Sequence, residues 1–379
     1  MNENQVKCLA PFRGFYQGYN GQISVCCKTP IVMYGDSFEE SMQDPKVRKL
    51  RQDFLNGFIP KECEFCTERV RSDQTEMMMM NNQDQLSVDY HKPVLMDLLW
   101  SNKCNFGCMG CKPFISTTIY EKYLEPVHIA SPFGEKFELG RWKSDHDQDM
   151  RIDYVLKNSN TIKYIHLNGG EPFLQDGFYD LLEKLIEKKA THIEILTHTN
   201  GSVKKYKGKS IIDLMKQFKS AKIYMSHDGI GEKGEYVRYG LKQKIWESNF
   251  REFKKSGIGV YVRMSYNIFN CLDLDNMADW YNDVLGVKPY MGLWDYPPCF
   301  SAKYINKNPK LYEKAMRLLE DNSKRYEQVN FVLNYMKEPV SEEELKDMSW
   351  RFSESISSFD KIRNTNFLKT FPELESLYY

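Results

Sequence analysis

The sequence predicts an α/β fold of about six strand–helix units, between a small N-terminal hairpin–helix module and a helical C-terminal tail. Two observations lead to this prediction. Apolar runs alternate with segments of helical periodicity between residues 93 and 300, and polar or glycine-rich loops follow four of these runs. The length of 379 residues exceeds one average domain, so we expect domains at 1–92, 93–300 and 301–379.

Composition narrows the class of protein. With 41% hydrophobic residues the chain can bury a core, and Lys+Arg equals Asp+Glu at 52 each. Zero net charge argues against a nucleic-acid partner. The polar start MNENQVK is not a signal peptide, and no apolar run approaches the roughly 18 residues of a membrane span. We therefore expect a cytoplasmic protein without a membrane partner, in which disulfides are rare.

The N-terminal module is predicted from a turn and a helix. Phe12–Gln17 and Gln22–Cys27 flank the turn sequence GYNG, which is typical of a hairpin. DPKVRKLRQDFLNG then reads as a helix with Asp44 as its cap, Pro45 in its first turn and Gly57 at its end. The helix leads to the sequence CEFC. A unit this small usually needs a metal centre for stability.

The central part contains the strands and the loops that carry chemistry. The strands are predicted at VLMDLLW (94–100), IKYIHL (162–167), IEILTHTNG (193–201), KIYMSHDG (222–229), GVYVRMSYN (259–267) and, weakly, 287–293. In parallel α/β folds chemistry gathers at the carboxyl ends of strands. A cysteine loop, NGGEP, HTNG and SHDG stand there. The C-terminal part, with PKLYEKAMRLLED and SEEELKDMSW, has helical periodicity and no chemical motif.

The loop CNFGCMGC holds three cysteines, Cys104, Cys108 and Cys111, at a spacing of C-x3-C-x2-C. Structural zinc takes four ligands, and an ordinary four-iron cluster takes four thiolates. A cubane held by three thiolates leaves one iron open for another ligand. The alternatives are a zinc site completed by a distant residue, or coincidence.

At these residues the chain resembles the radical S-adenosylmethionine (SAM) superfamily. The resemblance implies a partial (β/α)6, TIM-like barrel open on one side, with a [4Fe-4S] cluster on the three cysteines as the catalytic centre. It implies that SAM binds the open iron and that reductive cleavage yields methionine and a 5′-deoxyadenosyl radical. The radical takes a hydrogen atom from the substrate, and a flavodoxin or ferredoxin is the expected electron donor.

The resemblance also assigns cofactor-binding residues. NGGEP matches the glycine-glycine-glutamate motif, so Gly169 and Gly170 admit the methionine end of SAM and Glu171 accepts its ammonium group. Ser226, in SHDG, matches a position that often touches the ribose, and Arg238, in YVRYG, matches one that often meets the carboxylate.

One position departs from the family pattern. An aromatic residue usually precedes the third cysteine and packs toward adenine, whereas this chain has Gly110 there. The adenine contact is therefore expected elsewhere, with Phe106 and Met109 as alternatives.

The first 66 residues resemble the twitch domain, the short form of the SPASM domain that accompanies many radical SAM enzymes. The resemblance implies an auxiliary iron–sulfur cluster, most often [4Fe-4S], on Cys8, Cys26, Cys63 and Cys66, with Cys27 as an alternative to Cys26. In relatives this module follows the barrel, whereas here it precedes it. Four thiolates including C-x2-C fit zinc equally well.

The relatives suggest a substrate class. SPASM and twitch enzymes mostly oxidise or crosslink peptide and protein side chains, and an auxiliary cluster suits an electron relay. We therefore expect an oxidoreductase acting on a peptide or protein. The alternatives are modification of a sugar, nucleoside or other small metabolite, and a non-catalytic zinc or iron–sulfur scaffold. His166, His198 and Asp228 are acid–base candidates, because they stand near predicted strand ends.

Overall fold

A computed structural model describes residues 8–18, 22–27, 29, 38–63, 86–89, 92–112, 115–124, 148–326 and 328–378. The tip of the predicted hairpin turn, at Asn20 and Gly21, and the predicted cluster ligand Cys66 lie outside the described residues.

The strands match every strand predicted from the sequence and add several short pairs. They are β1 Gly14–Gln17, β2 Ile23–Ser24, β3 Leu95–Leu99, β4 Gly107–Cys108, β5 Tyr164–Asn168, β6 Glu194–Thr199, β7 Lys205–Tyr206, β8 Lys209–Ser210, β9 Ser220–Ser226, β10 Arg238–Tyr239, β11 Gly259–Tyr266 and β12 Tyr290–Leu293.

Helices fill the intervals between the strands and most of the C-terminal part. The α-helices are Ala10–Arg13, Phe38–Met42, Pro45–Leu55, Thr117–Ile119, Gln148–Lys157, Asp176–Glu187, Ile211–Met215, Gly231–Val237, Gln243–Lys255, Leu274–Trp280, Pro309–Ser323, Val329–Lys337, Glu342–Arg363, Phe367–Thr370 and Glu375–Tyr378. Short 3-10 turns lie at Lys61–Cys63, Pro172–Leu174, Pro298–Phe300, Ala302–Lys307 and Pro372–Leu374, and π-helical turns at Tyr120–Leu124 and Tyr281–Leu285.

The local predictions for the N-terminal module are confirmed. β1 pairs antiparallel with β2, with Tyr16 opposite Ser24. The predicted helix begins at Pro45, where the Asp44 carboxylate accepts a hydrogen bond from the Lys46 amide at 2.8 Å. It ends before Gly57, whose φ of 77° is the left-handed conformation that glycine adopts without strain.

The chain divides into two compact units. The first comprises residues 1–102, 140–197 and 205–222. Its parallel strands lie in the order β1-β3-β5-β6, with β2 outside β1. The pairing of β1 with β3, Gly14 opposite Leu95, was not predicted. It has a physical reason, because an isolated two-stranded hairpin is at best marginally stable and gains by extending a larger sheet.

Arg51 fastens the module's helix within this first unit. The side chain is fully buried, and it donates hydrogen bonds to the carbonyl groups of Pro11, Met42 and Val88 at 2.7, 2.8 and 3.0 Å. A buried guanidinium is tolerated when its donors are matched by acceptors. The helix is therefore tied to the chain segments on both sides of it.

The second unit comprises residues 103–139, 198–204 and 223–379. Here β11 lies between β9 and β12, and it pairs with β12 in parallel, with Arg263 opposite Tyr290. Along β11, Val262, Met264 and Tyr266 are buried, whereas the alternate residues are partly accessible. The residues between the buried ones therefore share a face that a ligand can reach.

The parallel pairings and the alternating helices confirm the α/β class, with a mostly parallel central sheet. The three-domain division at 1–92, 93–300 and 301–379 stays a prediction, because compact units follow spatial proximity and need not coincide with domains of the sequence. Among the described residues, no helix is long and apolar enough to cross a membrane.

A buried histidine sits among aromatic rings of the second unit. His227 is fully buried, with ring centroids 4.4 Å from Trp246 and 5.2 Å from Trp280. Its Nδ1 lies 2.9 Å from the Tyr281 hydroxyl and its Nε2 lies 3.0 Å from Oε1 of Gln243. Burial lowers the pKa of His227 to about 4. The neutral ring is therefore the form that the fold stabilises.

We predict that the difference in free energy of unfolding between wild type and His227→Phe becomes smaller as the pH falls. At pH 7 the variant loses two hydrogen bonds, roughly 1–3 kcal/mol in free energy of unfolding. The stabilisation from a depressed pKa is complete above about 6.5 and is lost as the pH falls toward 4. The gap should shrink by at most about 1.4 kcal/mol per pH unit in that window. Urea unfolding at several pH values measures it.

Trp246→Phe is the matched control, because it changes the same aromatic cluster and removes no titrating group. Its gap to wild type should not change between pH 7 and 4.5. A gap for His227→Phe that is equally constant would contradict the prediction.

Candidate active site

The cysteine loop is fixed by a short strand pair in the second unit. β4 pairs antiparallel with β10, which sets Cys108 opposite Arg238 and Gly107 opposite Tyr239. The Met109 amide continues the ladder by donating to the Val237 carbonyl at 2.8 Å. The middle cysteine of the motif is thus held by backbone hydrogen bonds on a strand rather than on an unsupported loop.

Hydroxyl groups hold the start of the loop. The Thr118 hydroxyl donates to the Cys104 carbonyl at 2.7 Å, and the Cys104 amide donates to the Thr117 hydroxyl at 3.2 Å. The buried Ser116 hydroxyl donates to the Phe106 carbonyl at 3.1 Å. The Phe106 amide also points at the Cys104 sulfur, 3.5 Å away. These hydrogen bonds are all made within the chain, and they order the loop.

The electrostatics of the three thiols suit an iron–sulfur cluster. Burial, and then the neighbouring Cys108 and Cys104, raise the pKa of Cys111 well above its usual value. Burial also raises the pKa of Cys108, against which Arg238 acts. Three thiolates here would repel one another in a dry site, and bound iron relieves that cost by replacing the protons. The donor set therefore fits the cluster.

Within the part of the chain that the structure describes, no three His, Cys, Asp or Glu side chains lie close enough together to hold a single metal ion.

Arg238 links the cysteine loop to the end of β9. Its Nη2 forms an ion pair with Asp228 at 2.6 Å, and its Nη1 lies 3.9 Å from the Cys108 sulfur. The other carboxylate oxygen of Asp228 accepts the Ser265 amide at 2.7 Å. Both oxygens of Asp228 are thus engaged, which argues against the acid–base role considered for it. The Arg238 Nε is buried and forms no hydrogen bond within the described chain.

The Trp294 side chain, which the sequence analysis missed, lies against Gly110, the residue before the third cysteine. A Cβ at Gly110 would lie 2.7 Å from the indole ring of Trp294, which follows β12. The two alternatives considered for the adenine contact are both buried, Phe106 with 2% and Met109 with 1% of its surface exposed. Trp294 remains half-buried, so its ring is the more accessible one beside this loop.

The glycine-glutamate motif belongs to the first unit and follows β5. Gly169 has a φ of 103°, and a Cβ there would lie 2.4 Å from the Ser101 carbonyl oxygen. Glu171 is fully buried, and its carboxylate accepts the Phe173 amide at 3.1 Å, which caps the 3-10 turn after it. Gly170, between them, is half-buried. The motif thus brings two backbones into close approach and buries a carboxylate.

His166, Asp97 and Asn168 form a polar cluster in the first unit, of which the sequence analysis named only His166. The His166 Nδ1 is 3.4 Å from an oxygen of Asp97, and the Asn168 amide is 3.0 Å from both groups. Burial raises the pKa of Asp97 to about 7, against hydrogen bonds from Asn168 and from the Cys27 thiol. Asp97 stands inside the apolar run VLMDLLW, and this was the available signal.

The predicted auxiliary ligands that the structure describes, Cys8, Cys26 and Cys63, are all half-buried. Cys26 and Cys27 follow β2, within electrostatic range of the Tyr16 hydroxyl. The structure does not test whether Cys8 and Cys63 share a ligand set with them, since Cys66 lies outside the described residues.

Four rings form a layer on one face of the second unit. The Tyr224 ring stacks with His198 and with Tyr261, each at a centroid distance of 5.1 Å, and meets Tyr290 edge-on at 5.3 Å. Burial, reinforced by Arg263, lowers the pKa of His198 to about 3. A histidine with this pKa is a weak base, which argues against general-base catalysis by His198.

Two polar residues continue this face toward the carboxyl ends of the strands. Ser226, predicted to touch the ribose of SAM, is half-buried at the last position of β9, two residues beyond Tyr224. The Arg263 guanidinium lies over Gly292, where a Cβ would approach Nη2 to 2.8 Å. The face is therefore aromatic in one layer and polar in the next.

Comparison with known proteins finds one family model that matches the central region. Residues 98–279 match the family model described as the radical SAM superfamily. The matched segment is slightly less than half of the chain, and it includes the three cysteines of the C-x3-C-x2-C motif. Among curated proteins, no sequence matches the chain.

Solved structures that match the chain include anSMEcpe with bound AdoMet, at 18% identity and a TM-score of 0.42, covering 60% of this chain and 59% of that one. Another is SuiB of Streptococcus suis bound to the precursor peptide SuiA, at 13% identity and a TM-score of 0.35, covering 65% and 61%. TYW1 with a lysine-pyruvate adduct matches at 17% identity and a TM-score of 0.26, covering 50% and 59%. The chain thus spans about three fifths of the length of these structures.

We predict that Gly169→Ala destabilises the protein much more than Gly208→Ala. Both glycines have positive φ, 103° and 83°, so either alanine costs about 1 kcal/mol in backbone strain. Nothing lies within 4 Å of a Cβ at Gly208, whereas Ser101 blocks one at Gly169. The overlap should cost about 1–3 kcal/mol more. Urea unfolding of both variants measures the difference, and equal midpoints would contradict it.

Proposed function

We propose that this chain is a radical SAM oxidoreductase that abstracts a hydrogen atom from its substrate. The observation that carries the proposal is the ordered loop of Cys104, Cys108 and Cys111 within the segment that matches the radical SAM family model. When bound there, a [4Fe-4S] cluster with SAM supplies a 5′-deoxyadenosyl radical. The chain's own part is to hold the cofactor, to orient the substrate and to keep water from the radical.

Two polar residues of the second unit are proposed to bind SAM beside the cysteine loop. Arg238 is positioned by its strand pairing with Cys108 and by its ion pair with Asp228. We assign its Nε, which has no hydrogen-bond partner within the described chain, to the carboxylate of SAM. Ser226 is assigned to the ribose. The ion pair makes Asp228 a positioning residue, because it fixes the direction of the guanidinium.

The first unit is proposed to bind the amino end of SAM. Because Gly169 has no Cβ, the Ser101 backbone can approach it closely. Gly169 and Gly170 are both half-buried, and we assign their backbone groups to the methionine end of SAM. Glu171 is assigned to the ammonium group, since a buried carboxylate is most stable beside a cation. One of its oxygens already caps Phe173, so the carboxylate is held in place for the second interaction.

The proposed substrate is a side chain of a peptide or protein. The support in the structure is the face formed by His198, Tyr224, Tyr261 and Tyr290, where stacked rings offer an apolar surface edged by polar groups. Small-molecule sites are mostly apolar with a few placed polar groups, and a single side chain of a peptide meets the same requirements.

The N-terminal cysteines are proposed to hold an auxiliary cluster that accepts an electron from the substrate. The proposed ligands are Cys8, Cys26, Cys63 and Cys66. The Cys27 thiol is close enough to Asp97 to lower the pKa of that carboxyl, which favours Cys26 as the ligand of the adjacent pair. Zinc in the same four-thiolate set is the competing assignment.

We predict that anaerobic reconstitution gives about eight irons per chain, and that replacing Cys104, Cys108 and Cys111 with alanine leaves about four. The triple variant should form no 5′-deoxyadenosine with SAM and dithionite, because the proposed SAM-binding cluster is absent. Iron, sulfide and zinc analysis with product chromatography measures this.

The control is a Cys271→Ala variant, which removes a fully buried cysteine outside both proposed clusters and should keep all the iron. If wild type held about four irons and the triple variant none, with one zinc retained in both, the N-terminal cysteines would be assigned to a zinc site instead of an auxiliary cluster. A reconstituted wild type that forms no 5′-deoxyadenosine under any reducing condition would overturn the enzyme proposal.

We predict that Glu171→Gln weakens SAM binding while preserving the fold. Glutamine keeps an oxygen for the Phe173 amide and loses the negative charge that we assign to the ammonium group. Loss of one charge-assisted hydrogen bond is expected to weaken binding about tenfold or more, from roughly 1.5–3 kcal/mol. Equilibrium binding of SAM to the reconstituted protein measures the effect.

Glu171→Ala is the comparison variant, because it removes both the charge and the cap. It should bind SAM as weakly as the glutamine variant and also unfold at lower urea, since a lost helix cap costs about 0.5–2 kcal/mol. Wild-type affinity for SAM in both variants would remove Glu171 from the site and would favour a non-catalytic scaffold.

A further inference from the structure

The long C-terminal helix, Glu342–Arg363, ends beside the cysteine loop within the second unit. The sequence of this region carried no chemical motif. Its last residue, Arg363, is nevertheless buried, with 5% of its surface exposed. A buried guanidinium is costly unless its donors are matched, so its surroundings indicate why it is retained.

The guanidinium of Arg363 is directed at the backbone and side chains around Cys108. Its Nη2 donates to the Gly107 carbonyl at 2.5 Å, and its Nη1 lies 2.9 Å from the Met109 sulfur and 3.4 Å from the Tyr236 carbonyl oxygen. Gly107 and Met109 are the residues on either side of Cys108. Arg363 therefore contacts the loop on both sides of the middle cysteine.

Neighbouring groups fix the direction of this side chain. Its carbon Cζ lies 4.2 Å from the ring centroid of Phe359 and 5.0 Å from that of Tyr239, the residue paired with Gly107. Guanidinium groups over aromatic faces gain further stabilisation when desolvated. The arginine thus bridges the helix and the β4–β10 pair.

The end of the helix is anchored independently of the arginine. Asp360 accepts hydrogen bonds from the Tyr236 hydroxyl at 3.0 Å, from the Thr365 hydroxyl at 2.7 Å and from the Phe367 amide at 2.7 Å. Asn364 then ends the helix in the left-handed conformation, with a φ of 53°. Because these contacts hold the helix end, the position of Arg363 does not depend on a mobile terminus.

Arg363 also adds positive charge at the cysteine. The Arg363 guanidinium carries this charge within hydrogen-bond distance of the two residues that flank Cys108. A positive charge in a poorly solvated site stabilises neighbouring negative charge more strongly than in water. A cluster gains negative charge on reduction, so a fixed cation nearby favours its reduced form.

We propose that Arg363 is a positioning residue for the proposed SAM-binding cluster, which holds the loop at Gly107 and Met109 and raises the cluster's reduction potential. The inference rests on the proposed function for its second part only. Its first part concerns the loop itself and applies with or without a cluster. The C-terminal helix is thereby assigned a role in the active site.

The test compares Arg363→Gln with wild type in two measurements on the full chain. Redox titration followed by electron paramagnetic resonance should show about a tenfold lower ratio of reduced to oxidised cluster at a fixed potential, equal to about 59 mV for one electron. Hydrogen–deuterium exchange should show faster uptake in peptides covering residues 104–112. Both samples should carry the Cys8→Ala and Cys26→Ala changes, so that one cluster is observed.

Two further variants separate charge from geometry. Arg363→Lys keeps the charge and loses the fork of donors, so it should restore the potential while uptake at 104–112 stays faster than in wild type. Lys361→Gln removes an exposed charge from the same last turn and should leave both measurements unchanged.

The inference would be overturned if Arg363→Gln had the same reduction potential as Lys361→Gln and the same deuterium uptake at residues 104–112. If Arg363→Gln does not retain iron, exchange in the cluster-free proteins decides, and unchanged uptake there would overturn it. A wild type that assembles no cluster at residues 104–111 would instead refute the proposed function, while exchange would still test the contact between Arg363 and the loop.

Discussion

The two-residue strand pair of β4 with β10 is the contact on which the proposed centre depends. Three thiols within eight residues cannot easily ionise together, because burial and mutual repulsion both oppose it. The strand pair offsets part of this cost, because it places the positively charged Arg238 directly opposite Cys108. The same hydrogen bonds that order the loop therefore also bring it a counter-charge. The pair is short, and two outside residues, Trp294 and Arg363, support its flanks.

The two buried carboxylates near the proposed centre, Asp228 and Glu171, are both held by the protein's own groups. Asp228 engages Arg238 with one oxygen and the Ser265 amide with the other, so it holds the arginine rather than a substrate. Glu171 caps Phe173 with one oxygen and is fully buried. Each carboxylate is thus fixed by a backbone amide. A charge held in this way loses little entropy when a ligand binds, which is the advantage of a preorganised site.

Local sequence signals predicted most of the fold. Asp44, Pro45 and Gly57 bounded a helix correctly because caps and turn residues act within a few positions. The strands were found because each is an apolar run bounded by polar loops. The pairing of β1 with β3 could not be found in this way, since strand pairing joins segments that are far apart in the sequence. Spacing alone predicted Cys104, Cys108 and Cys111 as cluster ligands, while the residues that support the loop have no spacing signal.

Arg363 and Trp294 illustrate why such residues escape sequence analysis. Arg363 is one basic residue in the last turn of a polar helix, where basic residues are common for reasons of the helix dipole. Trp294 follows the weakest of the predicted strands, and its position against Gly110 depends on a glycine far earlier in the chain. Both contacts are made on tertiary folding. Their chemistry becomes visible only when each residue is considered with its partner.

The link between Cys27 and Asp97 connects the N-terminal hairpin to the rest of the first unit. Because β1 extends the sheet beside β3, the residues after β2 lie near Asp97. A thiol that interacts with a buried carboxyl in this way is protonated, whereas a cluster ligand must be a thiolate. This difference is why we propose Cys26, rather than Cys27, as the ligand. The proposal depends on the sheet, because the pairing of β1 with β3 brings the residues after β2 near Asp97.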